Sequence, residues 1–243
     1  NDVVEMVAFD VFSVGDTVSA KDGGSFAGNV AMAGTLGVTG VSTLGANLNV
    51  TGNVVSNDGS NNARFQFDND NQILIQNDTA MSFYVNSSAS LKIDATGAVT
   101  KPLQPAFHVR INSTQTNFAV ATTHTIVFGT EIYDQNADFA SNTFTAPVTG
   151  KYLLTANMGL LNIDIDASYI YIQITTSNRN YITIQDPRAF DFDPTLWHQN
   201  ITGIADMDAN DTAIVQLRIN GGAAQTDLEG NEAYTYFSGY LLG

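Results

Sequence analysis

The residues in this chain best able to do chemistry are three histidines, His108, His124 and His198, and 24 carboxylates. A nucleophilic hydrolase needs a Ser or Cys beside a His whose ring a third group orients. Each histidine falls in an alternating, strand-like stretch without a flanking catalytic signature, so all three read as packing or surface residues. Thiol catalysis, disulfide staples and zinc fingers are excluded together, because the sequence contains no Cys. Glycosidases use two carboxylates, but so many acidic residues single out no pair. No Gly-rich phosphate cradle stands between a strand and a helix. The expectation is a protein that is not an enzyme, with no catalytic residue and no cofactor.

The carboxylates say more as groups. Asp164 and Asp166, Asp191 and Asp193, and Asp227, Glu229 and Glu232 occur in three stretches that read as loops. Hard oxygen ligands in that number suit Ca²⁺. The competing reading is a solvated acidic surface that keeps particles apart. No Asp-x-Asp-x-Asp-Gly loop is present, so no metal ligand is assigned. Net charge narrows the partners: −15, from 9 Lys+Arg against 24 Asp+Glu, leaves no basic stripe for phosphates. The same balance disfavours an anionic membrane surface, and no apolar run reaches the length of a membrane span. Asn1 opens an acidic stretch unlike a signal peptide, and the chain reads as a segment of a longer or processed polypeptide.

The elements that must position these loops come in three textures. From Gly28 the chain counts in sixes: Asn29–Gly34, Thr35–Gly40, Val41–Ala46 and Asn47–Gly52, each closing on Gly or Ala. Val30 and Met32, Leu36 and Val38, Leu44, then Leu48 and Val50 hold one phase, which places them on one face of short strands. A six-residue rung cannot bury its own face, and four rungs are too few for a free-standing solenoid. The pattern predicts a shaft whose apolar core is shared between identical chains. Val3–Val14 reads as a preceding strand. Residues 57–104 form a second texture of short alternating strands, at Ala63–Phe67, Gln72–Gln76, Met81–Asn86 and Leu91–Asp94.

From residue 105 the strands lengthen and fill with aromatics: Ala106–Ile111, Thr125–Tyr133, Gly150–Gly159, Ser168–Thr176, Tyr181–Gln185, Trp197–Asp206, Thr212–Ile219 and Tyr234–Leu242. No amphipathic helix is visible anywhere. Eight strands with a turn signal about every ten residues indicate an all-β sandwich or jelly roll.

Three segments carry a family resemblance. Asn142-Thr-Phe-Thr-Ala-Pro-Val-Thr-Gly-Lys-Tyr-Leu-Leu154 resembles the Phe-x-x-Pro-x-x-Gly-x-Tyr segment of the complement C1q globular head, a branch of the tumour necrosis factor-like jelly rolls. Ala209–Leu217 is similar to the family's Gly-Asp-x-Val-x-Val-x-Leu strand, with Asn210 where the family prefers Gly. The closing Tyr236–Leu242 agrees as well. The junction Leu91–Phe107 resembles the linker before such heads in bacteriophage tail fibres, where repeats like Thr35–Gly40 are common. The resemblance implies a ten-strand jelly-roll head over residues 105–243, a homotrimer, and termini at the base. It also implies that the Phe-x-x-Pro segment links two strands of the inner sheet and that the three acidic loops share the far tip.

The combined reading is an all-β fibre protein with a hexad-repeat stalk (1–56), a β-rich neck and linker (57–104) and a jelly-roll head (105–243). Its expected role is the distal, receptor-binding part of a trimeric bacteriophage tail fibre, carried on the virion outside the cell. Its expected partners are two further copies, a host cell-surface glycan or protein, and other fibre or tail proteins, with no nucleic acid and no membrane insertion. The seven loop carboxylates are the receptor-binding candidates. A trimerisation or head-decoration module with recognition elsewhere is the alternative, and a carbohydrate-active tailspike stands further off.

Overall fold

The computed structural model of the chain describes residues 37–43, 63–66, 71–76, 79–231 and 233–243. The chain divides into two compact units, Asn1–Val54 and Val55–Gly243. In the first, Gly37–Thr43 is exposed and irregular, with a bend at Thr39-Gly40 and no strand. Val38 is 51% exposed. The other stalk-core residues, Val30, Met32, Leu36, Leu44, Leu48 and Val50, lie outside the described residues, as does Val3–Val14.

In the second unit, the neck is one antiparallel meander of five strands: β1 (Ala63–Gln66), β2 (Gln72–Gln76), β3 (Ala80–Val85), β4 (Ser88–Asp94) and β5 (Val99–Thr100). The tight β3–β4 turn places Asn86 and Ser87 at φ 50° and 59°, the left-handed pair that suits a two-residue hairpin. Period-two alternation sorts the side chains. Phe65, Ile73, Phe83 and Leu91 form one cross-strand row, and Ile75, Met81, Ile93 and Val99 form the next. Lys92 and Asp94 stand on the opposite face.

The head is a sandwich of two sheets. One follows the order β13 (Asn180–Gln185), β12 (Ala167–Thr176), β15 (Thr212–Gly221), β10 (Thr143–Thr145), β9 (Phe139–Ala140), with β7 (Thr123–Thr125) also paired to β15. The other runs β14 (Leu196–Met207), β11 (Gly150–Leu161), β17 (Tyr236–Leu241), β6 (Ala106–Arg110), β8 (Thr130–Gln135), with β16 (Asp227–Leu228) on β11. The chain crosses repeatedly between the two sheets, with β9–β10 and β12–β13 as hairpins inside one of them, the winding of a jelly roll, and ten strands lie on the two paths. Their inner faces meet in a continuous core. Phe107 is fully buried, with ring centroids 4.6 Å from Phe144, 4.9 Å from Phe237 and 5.3 Å from Phe139. No described helix is long and apolar enough to cross a membrane, and among the described residues a single 3₁₀ turn, Pro187–Ala189, interrupts the β-structure.

Two expectations change. The Phe-x-x-Pro-x-x-Gly-x-Tyr segment does not join strands of one sheet, because Phe144 lies in β10 and Tyr152 in β11, on opposite sheets. Pro147 has no N–H for a ladder, so the chain leaves one sheet there and enters the other at Gly150. The buried Tyr152 hydroxyl donates to the Val148 carbonyl at 2.7 Å and holds that crossing. Likewise, the single strand expected at Thr125–Tyr133 is two. β7 and β8 belong to different sheets, and the connection buries Ile126 and Phe128 in the core.

Candidate binding tip and assembly face

The twelve-residue strand β11 sets the long axis of the head. It starts at Gly150, beside the C-terminal Leu241 and Gly243, and ends at Leu161, about 37 Å away at a strand's rise per residue. Its partner β14 pairs Met207 with Gly150 at the base and Leu196 with Leu161 at the tip. The turns after β11, before β14 and after β15 therefore meet at the tip, and the loop after β6 joins them through Gln115 and Leu228.

Carboxylates knit these loops together. Asp164 is 8% exposed. One of its oxygens accepts the Asp166 N–H at 2.8 Å and the other accepts the Ala223 N–H. Gly222 makes that reach available: it sits at φ +72°, and a Cβ there would lie 2.7 Å from the Asp164 Oδ2. Asp193 accepts from the Ile165 N–H and from the Gln225 amide, each at 3.0 Å. Asp227 accepts from the Asn117 N–H at 2.7 Å and the Asn162 side chain at 3.2 Å. Glu229 accepts from the Asn231 N–H at 3.1 Å. Asp166 and Asp191 are exposed, and their carboxylates accept no hydrogen bond among the described residues. Glu232 lies outside the described residues. Three of the acidic candidates, Asp164, Asp193 and Asp227, thus spend both oxygens on loop order, while Asp166 and Asp191 present theirs to solvent. Among the described residues no group of three or more His, Asp or Glu converges as a metal site.

A second surface was not singled out by sequence. On the outward face of the β14-β11-β17-β6-β8 sheet, Ile204, Leu153, Tyr240 and Ala106 lie in one cross-strand row. Thr202, Thr155, Ser238, His108 and Tyr133 form the next. Ile204 is 57% exposed and Tyr240 45%. His108 Nδ1 lies 2.5 Å from the Ser238 hydroxyl, and the ring packs between Tyr133 and Tyr236. Burial pushes the imidazole below its ordinary range. No carboxylate is hydrogen-bonded to that ring among the described residues, so the pair lacks the orienting partner of a triad. His124 contacts the Ala119 carbonyl at 2.9 Å, and His198 packs edge-on against Tyr234. The alternation that makes strands legible also predicts this outward face, but only once the sheet order shows which strands lie side by side.

No protein-family model matches the sequence, and no curated protein does. Among solved structures, the chain is similar to the globular domain of zebrafish complement 1qA protein, at 15% identity and a TM-score of 0.44, over 58% of this chain and 98% of that one. It is also similar to murine APRIL, at 11% identity and a TM-score of 0.42 over 57% of this chain and 99% of that one in crystals at pH 5.0. The match to murine APRIL at pH 8.0 has 12% identity and the same TM-score. Asn210, at φ +75°, accommodates the turn that the motif gives to Gly, since Asn enters the left-handed region more readily than most residues. By its own strand order, the head is an all-β jelly roll.

Proposed function

We propose that this chain is a non-enzymatic adhesive fibre protein that works as an extracellular homotrimer and engages a receptor on a host cell, as the distal part of a bacteriophage tail fibre. The observation that carries the reading is the tip. Four loops from distant parts of the sequence are cross-tied there by Asp164, Asp193 and Asp227 at the end of the head away from the neck. Such ties hold a recognition surface in one shape before contact, so binding does not have to order the loops. The outward row Ile204-Leu153-Tyr240 supports self-association, because exposed apolar surface of this kind is stabilised when a like surface covers it. Three tips on one body reinforce weak individual contacts by effective concentration. The hexad phase of Leu36, Val38, Leu48 and Val50 supports a shared shaft.

The test pairs assembly with adhesion. Sedimentation of the full chain should give about three times 26.0 kDa, and labelled protein should bind intact host cells. Replacing the exposed Asp166 and Asp191 together with Ala should weaken cell binding and leave sedimentation unchanged. A stable monomer at micromolar concentration overturns the reading. A trimer that binds no host cell leaves the head as a trimerisation module with recognition elsewhere.

A further inference from the structure

The neck sheet carries an apolar face that the head does not cover. Ile75, Met81, Ile93 and Val99 form a cross-strand row, with Phe83 in the row beside it. Ile75 is 41% exposed and Val99 60%. Neither of these two rows carries a charge. The opposite face of the sheet is the packed one, with Leu74, Ser82 and Ala80 buried, and a contiguous apolar surface left open on the other side is a feature of interaction sites.

We infer that the neck sheet is itself an inter-copy contact, its apolar face packing against the neck of a second copy of this chain. This inference rests on the homotrimer proposed above and extends its contact surface beyond the head. Two observations favour a second copy as the occupant. The first is continuity. Val99 and Tyr240 line one cleft of about 350 Å³ at the head–neck junction, so the neck row runs on into the outward row Tyr240-Leu153-Ile204 of the head. The junction is tied down: the Gln135 side-chain amide lies 2.7–3.0 Å from the carbonyls of Lys101, Pro102 and Gln104, and the Asn136 amide donates to Leu103. A copy seated on the head face therefore brings its own neck row to the same side. The second observation is charge. A chain of net charge −15 repels its copies over most of its surface, and these rows are where two copies can approach without placing carboxylate against carboxylate.

The absence of cysteine gives a clean experiment. Val99→Cys and Ile75→Cys are made singly in the full chain, with Lys92→Cys on the opposite face as the control. Each is treated with a short bis-maleimide and its mass read under denaturing conditions. Tethering through the head holds all three cysteines at roughly millimolar effective concentration, but only a neck contact through the apolar face brings Val99 or Ile75 within the linker's reach of its equivalent, so the two face variants should link copies at least about tenfold faster than the control. Equal rates for Val99→Cys and Lys92→Cys, in a chain that still sediments as a trimer, overturn the neck contact and leave the proposed assembly standing. Sedimentation as a monomer overturns both. In a parallel arm, Met81→Asp should slow linking through Val99→Cys by a similar factor while the head keeps its fold by circular dichroism. Unchanged linking in that variant also overturns the contact.

Discussion

The head and the neck use the same alternating sequence grammar and reach different degrees of self-sufficiency. In the head, β11 and β12 each place five or more residues inside, and the inner faces of the two sheets close over one another. Phe107 is in ring contact with three other phenylalanines there. In the neck, five strands pair in one continuous antiparallel meander, yet their apolar row remains open among the described residues. Both regions are built on antiparallel ladders, so the mode of pairing is not what separates them. What separates them is whether a second layer covers the apolar face.

The largest expected effect sharpens that contrast. Phe107→Ala should cost about 3–5 kcal/mol of head stability, the range for deleting a fully buried aromatic ring. Phe83→Ala in the neck should cost only about 1 kcal/mol in dissociated chains, because part of that ring already faces water. Denaturant unfolding, followed by Trp197 fluorescence for the head and by hydrogen exchange for the neck, separates the two. Similar losses in dilute protein would break the comparison.

A medium effect is expected at the tip, where order comes from buried polar bonds and not from a second layer. Asp164→Ala leaves the Ala223 and Asp166 amides without their acceptor at a largely buried position, which costs about 1–3 kcal/mol. Hydrogen exchange at Ala223 should rise sharply while exchange in β11 and β12 stays slow. Asp164→Asn should restore part of the protection, since its carbonyl can accept one of the two bonds. If Ala223 exchanges no faster in Asp164→Ala, the carboxylate does not organise the tip.

These two regions also show what the sequence discloses. The neck strand at Gln72–Gln76 is legible to the residue, because alternation bounded by polar turns is a local signal. The three acidic loops share one end because β11, β14 and β15 are long and antiparallel, which follows once the winding is known. The internal use of Asp164 was not legible. It depends on Gly222 and Ala223 arriving from nearly sixty residues away, and no local pattern encodes that meeting. The split of Thr125–Tyr133 into β7 and β8 was hidden for a related reason. Ile126 and Phe128 keep a strand-like alternation while the backbone crosses between sheets, so the pattern reports burial but not pairing. The short strands β9, β10 and β16 fall below the length at which alternation can be read.

The smallest effect probes the outward face of the head, which stands between the covered core and the open neck. His108 lies there between Tyr133 and Tyr236, with Ser238 on Nδ1 and Arg110 two residues along the same strand. Burial holds its folded-state pKa below the unfolded value, so between the two values the unfolded chain binds more protons. The stability contributed by neutral His108 is therefore complete above the ordinary imidazole range and is lost as pH falls through the folded value. The melting temperature should drop between pH 7.5 and pH 5, and His108→Gln should flatten part of that drop. Asp138 provides an internal control of opposite sign. Burial and the neighbouring Asp134 raise its pKa, so its unfavourable ionisation is relieved at acid pH, within the carboxylate window and not the imidazole one. Because the His108 ring is still partly exposed in a single chain, solvent screens the effect and keeps it small. Covering the face with another copy would deepen the burial and enlarge the shift, so the pH dependence should be steeper in assembled protein than in chains diluted to dissociation. An equal slope in both would mean that His108 remains as open in the assembly as it is in one chain, and would remove this row from the contact.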